Sequence, residues 1–587
     1  MKQKDFFNIN RLRFLQYASY LAVALIAFRL MDIQLISHEK YALAAEQNRT
    51  QILYQTAPRG RILAADGKTL AGNVPSFSLY YLPGSQKVDK EYLSSLSSDI
   101  ASFLNTDSKD ILKLLNKGVK SGKAVLIAQN ISPKRAFSFS ELEVYYSGLY
   151  LLEETKRDYP NGAFAAHLLG YMGTMDNKFW NRKEENTDYR LNSKIGKSGI
   201  EKRYESELKG RDGGLYLEVD YMGRVKQKLK DNKWAKGADV WTTLNFDVQK
   251  AAEEGIKKSI TGRGAAVVLD AKTGAVLAMV SAPDFDPNVF IAYGDEGIHP
   301  SAKKIPEYNL ALQGMYPPAS TFKTITGIAA LENGRLDLHD HTTCKGKIMM
   351  NNREFKCWKT HGPNIDFMEG MAQSCDVYFY ELALKTGANS IEKIQKLFRL
   401  GQKTGIDLSG EKRGNIYGPS KRARNRTYWF AGDTLNLSIG QGELLLTPLQ
   451  MAVYGAALAS KGNIYRPYYI QKIVDPQGHI LKENKPEIIA RAELKEGHYE
   501  IIHQALKGVV DRATGRAARV EGIDVYGKTG TAQNPHGDDH GWFLAFAGLP
   551  GQEPDIALSV FVEFGKGGSS AAAPIARNII KAYYGVK

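Results

Sequence analysis

Apolar positions crowd together most densely near the N-terminus. Phe14 to Phe28 reads FLQYASYLAVALIAF, preceded by Lys2, Lys4, Arg11 and Arg13 and by one acid, Asp5. A bilayer core needs about 17–25 residues. The run reaches that length if it continues through Arg29 to Ile36, with Arg29 pairing Asp32 at i,i+3 spacing or snorkelling outward. A buried soluble helix would leave the basic flank unexplained. A cleaved signal peptide needs a small-x-small site directly after the run. Ala42-Leu43-Ala44 has that form, but His38, Glu39 and Lys40 intervene. The pattern therefore predicts an uncleaved anchor over 14–36, with a cytoplasmic tail over 1–13. The expected location is the inner (cytoplasmic) membrane, single-pass, with the bulk of the chain on the periplasmic side.

Beyond the anchor the pattern changes twice. Residues 50–240 mix short alternating stretches with glycine turns such as Asp66-Gly67, and carry periodic Leu and Ile over 90–118, which predicts a helix. This part contains no nucleophile–base pair and is expected to be a non-catalytic pedestal. From 241 to the end the pattern is that of an α/β domain. Asp239–Leu244 reads as a strand, Asn245–Ser259 as a helix, and Ala265–Asp270 and Ala275–Ser281 as buried strands joined at Thr273-Gly274.

Length and composition add little. The 587 residues exceed one ordinary core, and 43% hydrophobic with 24% charged residues is globular. The net charge of +15 is spread along the chain without a nucleic-acid recognition motif. It suits a solvated basic surface, a membrane face or an anionic polymer, and nucleic acid is not an expected partner.

Chemistry is concentrated in three ordered fragments: Ser320-Thr321-Phe322-Lys323, Ser374-Cys375-Asp376 and Lys528-Thr529-Gly530-Thr531. Pro317-Pro318 cannot lie inside a helix, whereas STFKTITGIAALENG reads as one that stops at Gly334. Ser320 is thus expected at a helix N-terminus with Lys323 one turn on, where the amine can take the hydroxyl proton. Taken alone, the pair would read as a cap and a surface lysine. Ser374 and Asp376 open an amphipathic helix, a position equally natural for a capping residue. Val525–Ala532 reads as a strand whose glycines permit close backbone approach and whose Lys and Thr side chains suit a carboxylate-ended peptide. The polar loop His536–His540 reads as a hairpin tip. Ser-x-x-Lys with a later Lys-Thr-Gly is the combination found in penicillin-binding proteins and β-lactamases.

On these motifs, together with the PRGRI segment (58–62), GKSGIEKRYESELKG (196–210), SIGQGELLLTPLQMA (438–452) and YGKTGTAQ (526–533), the chain resembles a class B penicillin-binding protein. Asp376 stands where the general pattern has Asn, which resembles the elongation-type branch, penicillin-binding protein 2. The resemblance implies a penicillin-recognising serine transpeptidase domain over 241–587, α/β (α+β) with a central antiparallel sheet flanked by helices, behind a mixed α+β pedestal of dimerisation type. It implies peptidoglycan D,D-transpeptidase activity in cell-wall elongation. Ser320 would attack the penultimate D-Ala of a stem peptide and Lys323 would accept its proton. Backbone N–H groups of Ser320 and Thr531 would form the oxyanion hole, Ser374 would relay a proton to the departing D-Ala, and Asp376 would orient Lys323 or the substrate amide. Lys528, Thr529, Gly530 and Thr531 would hold the terminal carboxylate. β-Lactams would acylate Ser320, and the implied partners are a RodA-type glycosyltransferase and an MreC-type scaffold. The alternatives are a D,D-carboxypeptidase, a β-lactam sensor, for which the cytoplasmic tail is too short, and a catalytically silent wall scaffold, which the complete motif set opposes.

All three cysteines fall between 344 and 375, as Cys344-x12-Cys357-x3-His361-x13-Cys375. Three thiols and an imidazole form a closed tetrahedral zinc set, and Cys375 lies inside the second motif, so a structural zinc ion is expected there. His339, Asp340 or His341 could replace one ligand. One disulfide plus a buried thiol is the alternative. No organic cofactor is expected.

Overall fold

The computed structural model describes residues 9–83, 89–175, 189, 193–220, 224–291, 306–350 and 352–586; Lys2, Lys4 and Asp5 of the expected tail lie outside these. Helix Ile9–Met31 carries the N-terminal apolar run. The stretch Leu12–Ile36 is long and apolar enough to cross a membrane, and none of it is buried against protein. Arg29 pairs with Asp32 at the expected i,i+3 spacing.

The chain divides into two compact units. The first comprises Met1–Pro58, Val74–Lys156 and Arg211–Ala235. Its core gathers Leu79, Leu96, Ile100, Ile111, Leu115 and Phe139. The single helix expected over 90–118 is two, Lys90–Leu104 and Ser108–Ser121. Asn105 ends the first in the left-handed region at φ 58°, and the Asp107 carboxylate caps the second by accepting from the Lys109 N–H. The Leu/Ile periodicity runs through the break, so it could not reveal the cap.

The second unit takes Arg59–Asn73, Arg157–Gly210 and Lys236–Lys587, so the 50–240 segment is shared between the two. What gathers its pieces is a buried charge cluster. Glu201, fully buried, accepts from Arg59 at 2.8 Å, from Arg157 at 2.7 Å and from the Tyr159 hydroxyl at 3.2 Å. Glu205 accepts from Arg59 at 2.8 Å. The PRGRI and GKSGIEKRYESELKG segments are therefore partners in space. Burial alone would push the Glu201 carboxyl up; the two arginines outweigh it and hold it below the usual carboxylate range.

The larger core of this unit is a five-stranded antiparallel sheet. In chain order its elements are α1 (Phe246–Lys257), β1 (Gly264–Asp270), β2 (Val276–Ala282), α2 (Lys323–Glu332), α3 (Asp376–Thr386), α4 (Pro448–Ala459), α5 (His498–Arg512), β3 (Asp524–Ala532), β4 (His540–Gly548), β5 (Ile556–Val562) and α6 (Ala573–Tyr584). The strand order is β2-β1-β5-β4-β3, every pairing antiparallel. β4 and β5 are buried at every residue, which explains their unbroken apolar character: helices cover both faces. Side-chain alternation sorts the contacts. Ala266 and Val268 of β1 pack with Val248 and Ala252 of α1 and Ile575 and Ile579 of α6. Ala265 and Val267 pack on the other face with Ile325 of α2 and Met451 of α4. β3, the motif-bearing strand, lies at the sheet edge, and α1 starts at Asn245, whose side chain accepts from the N–H groups of Asp247 and Val248.

Two outcomes test this packing. Glu201→Ala leaves two buried guanidinium groups without their shared carboxylate and should cost about 3–5 kcal/mol, read as a fall in Tm. Glu253 on α1 accepts through Oε1 from the Ala165 N–H and Gln249, both at 2.7 Å, and burial raises its carboxyl to about 7. A carboxyl raised on folding gives stability that is complete below its unfolded value near 4.5 and lost as pH rises through about 7. Glu253→Gln keeps the accepting oxygen without the charge, so its Tm gain over the unmodified protein should be larger at pH 8 than at pH 5; equal shifts at both would contradict the assignment.

Candidate active site

Ser320 and Lys323 sit where the chain enters α2, but not as one α-helix. Ala319–Phe322 form a 3-10 turn, and the α-helix begins at Lys323. Pro317 and Pro318 fix the approach, and Ala319 is held left-handed at φ 51°. Its N–H donates to Gly440 O at 3.0 Å. A Cβ at Gly440 would lie 2.3 Å from Ala319 O, so only glycine lets the SIGQG segment brace this turn.

Lys323 is fully buried. Its ammonium donates to Ser374 O at 2.8 Å, to Ser374 Oγ at 3.1 Å and to Asp376 Oδ1 at 2.7 Å. A lysine has three N–H donors, and here all three face the second motif. The Phe379 ring lies 5.4 Å from Nζ and closes the apolar side. Ser374 is itself left-handed at φ 55° and 7% exposed. This strained turn points both its carbonyl and its hydroxyl at Lys323, at a cost of roughly 1–3 kcal/mol. Asp376 opens α3, and of the roles foreseen for it the geometry selects the ion pair with Lys323.

The third motif completes the cavity. Lys528 is also fully buried, and Nζ donates to Thr529 O at 3.1 Å. Burial drives its ammonium well below the ordinary lysine value, the nearby charge of Lys323 lowers it further, and Asp376 opposes both. Two buried amines thus lie near the Asp376 carboxylate, and burial together with the charge of Lys323 disfavours the charged form of Lys528. β3 runs against the Ser320 turn so closely that a Cβ at Gly530 would meet Pro318 O at 3.0 Å. Thr531 is exposed, whereas Thr529 is buried with its hydroxyl donating to Thr514 Oγ1 at 3.1 Å.

Cys344, Cys357, His361 and Cys375 also converge, with their ligand atoms all within 4.8 Å of one another. The three cysteines are free thiols, so the disulfide alternative is not formed. His361 Nδ1 lies 3.5 Å from both Cys344 Sγ and Cys357 Sγ, and tetrahedral arms of about 2.0–2.3 Å set N–S separations near 3.5 Å. His361 Nε2 lies 3.2 Å from Gln373 O, which can only accept. That fixes the proton on Nε2 and turns the Nδ1 lone pair inward, as a metal requires. The Asp376 N–H donates to Cys357 Sγ at 3.2 Å, tying the cluster directly to the second motif. His339, Asp340 and His341 are not in the cluster.

Sequence reading missed two contributors. Gln441 donates to Thr531 O at 3.4 Å; its SIGQGE segment had been noted without a role. Thr514, in a segment with no motif, contacts Thr529.

The comparisons with known proteins give the family. Residues 264–581 match the penicillin binding protein transpeptidase domain and residues 54–242 the penicillin-binding protein dimerisation domain. The chain is 30% identical over 577 residues to the peptidoglycan D,D-transpeptidase MrdA of Acinetobacter baumannii, covering 94% of this chain and 84% of the relative. Among solved structures, PBP2 of Helicobacter pylori in complex with MreC matches at TM-score 0.75 and 25% identity, covering 92% of this chain and 99% of that one. A chain of a peptidoglycan synthase complex that coordinates polymerization and crosslinking matches at TM-score 0.72 and 26% identity, with 99% of both chains covered. Matched along both domains and along nearly its whole length, the chain belongs to the elongation-type class B penicillin-binding proteins.

Proposed function

We propose that this protein is a serine D,D-transpeptidase that cross-links peptidoglycan stem peptides during cell-wall elongation. The observation that carries this reading is the meeting of Lys323, Ser374 and Asp376 in buried contacts, with Lys528 beside them and Ser320 one turn before Lys323. With Lys323 Nζ as the free amine, which keeps two of its three donated bonds and turns its lone pair to Ser320 Oγ, that hydroxyl attacks the carbonyl carbon of the penultimate D-Ala and passes its proton to Nζ. The C–N bond to the terminal D-Ala breaks. Ser374 Oγ, 3.1 Å from Lys323 Nζ, relays the proton to the departing amine. An amine of a neighbouring stem then attacks the ester carbonyl, forms the cross-link and frees Ser320. N–H groups of Ser320 and Thr531 stabilise the oxyanion, and Lys528, Thr529 and Thr531 hold the terminal carboxylate beside Gly530. β-Lactams mimic the substrate and stop at the acyl-enzyme. Release of the acyl group to water instead would make the enzyme a carboxypeptidase, which product analysis with an amine acceptor distinguishes.

Residues 14–36 anchor the chain in the cytoplasmic membrane with 1–13 on the inner side, 50–240 serve as the non-catalytic pedestal, and 241–587 carry the chemistry on the periplasmic side. The relatives assembled with MreC and in a synthase complex support an MreC-type scaffold and a RodA-type polymerase as partners. The donor set and spacing of Cys344, Cys357, His361 and Cys375 fit a zinc ion, which would act as a structural clamp rather than a reactant. These residues then hold the turn before α3, and with it Ser374 and Asp376, against the 344–361 segment.

Two measurements test this reading. Intact mass after penicillin treatment should show a single adduct, lost in Ser320→Ala. Lys323→Ala should slow its formation at least about a hundredfold, and an adduct mapping to Ser374 would overturn the assignment. Metal analysis of protein purified without chelator should give about one zinc per chain. Cys357→Ser should lower both that content and Tm, and slow acylation without abolishing it; metal-free protein with unchanged Tm would contradict the clamp.

A further inference from the structure

Thr514 lies in the short segment between α5 and a 3-10 turn at Arg516–Ala518, outside all three motifs. It is nevertheless the point at which two site-bearing segments and the turn at Gly568–Ser569 meet. Its hydroxyl donates to Ala372 O at 3.1 Å, two residues before Ser374. It accepts the hydroxyl proton of Thr529 on β3 at 3.1 Å. Its own carbonyl accepts from Ser569 at 2.6 Å, in the loop that packs on β3 so tightly that a Cβ at Gly568 would lie 2.6 Å from Gly530 O.

We propose that Thr514 is a positioning residue for recognition of the substrate's terminal carboxylate, acting through Thr529; this rests on the transpeptidase reading of the site. Each threonine hydroxyl has one proton and can also accept. As the chain of bonds stands, protons run from Thr529 to Thr514 to the Ala372 carbonyl. A carboxylate is a stronger acceptor than a hydroxyl, and draws the Thr529 proton toward itself by rotation about Cβ–Oγ. Thr514 can follow, turning its own proton onto the Thr529 oxygen, because Ala372 O retains the Thr514 backbone N–H at 3.5 Å. A hydroxyl that accepts one hydrogen bond donates a better one. The pair thus reverses direction without moving a heavy atom, and the oxygen that meets the carboxylate stays fixed relative to the Ser374 turn. Valine has the shape of threonine without this capacity; serine keeps the capacity with less packing.

The test uses the full-length protein with benzylpenicillin and its methyl ester, which present the same lactam with and without the carboxylate. Acylation of Ser320 is followed by intact mass. Thr514→Val should slow acylation by the acid about tenfold and by the ester less than about twofold, the size expected for one hydrogen bond to a charged group. Thr514→Ser should restore most of the rate, and Thr514→Ala should behave like the valine variant should the latter fold poorly. In a Thr529→Val background, Thr514→Val should add nothing. Equal slowing of acid and ester, a serine variant as impaired as valine, or full additivity with Thr529→Val would each overturn the inference while leaving the site reading intact. Absence of any adduct on the unmodified protein would instead remove the reading on which it rests.

Discussion

Two fully buried lysines, Lys323 and Lys528, share a pocket that offers a single carboxylate. An ammonium in such a place is costly unless it is paired and hydrogen-bonded. Asp376 and both Ser374 oxygens do this for Lys323. Nothing comparable is done for Lys528, whose one bond among the described residues goes to the neighbouring Thr529 carbonyl, and its charged form is disfavoured accordingly. The asymmetry differentiates two otherwise identical amines. It also imposes a requirement on the fold: α2, the start of α3 and the edge strand β3 must be brought together and kept there.

The fold meets that requirement with local strain supported by a rigid surround. Ala319 and Ser374 both occupy the left-handed region, where a side chain costs roughly 1–3 kcal/mol. Gly440 braces the first turn where a Cβ would collide with Ala319 O, and Gly370 O accepts from the Cys375 N–H beside the second. The completely buried β4 and β5, sandwiched between two layers of helix, supply a platform that does not yield. The Cys3His cluster bears on the same turn through the Asp376 N–H, so the second motif is restrained from the side of α2 and from the side of the cysteines.

A second constraint acts away from the pocket. Glu201 binds Arg59 and Arg157, from segments that flank residues 74–156 of the first compact unit in sequence. A buried carboxylate with two guanidinium partners tolerates no partial assembly, since loss of any member strands a charge. The association of PRGRI with GKSGIEKRYESELKG is therefore specific, although neither segment carries a chemical motif.

Much of this was legible in the chain itself. The helix long and apolar enough to cross a membrane followed from an apolar run, and the sheet strands from continuous apolar stretches. The helix after two prolines that places Ser320 and Lys323 at its start, and the cysteine cluster, followed from local sequence and spacing. These are local properties, set by periodicity and by the few conformations that proline, glycine and capping residues permit. The tertiary structure decided what depends on segments far apart: that Lys323 spends all three donors on the second motif, that Asp376 pairs with it, that the cysteines remain free and face His361, that the 50–240 segment is shared between two units, and that Gln441 and Thr514 touch the site. Hydrogen-bond partners tens of residues or more apart leave no period in the sequence. A single threonine in an irregular segment looks like any other until β3 and the end of the preceding helix are placed on either side of it.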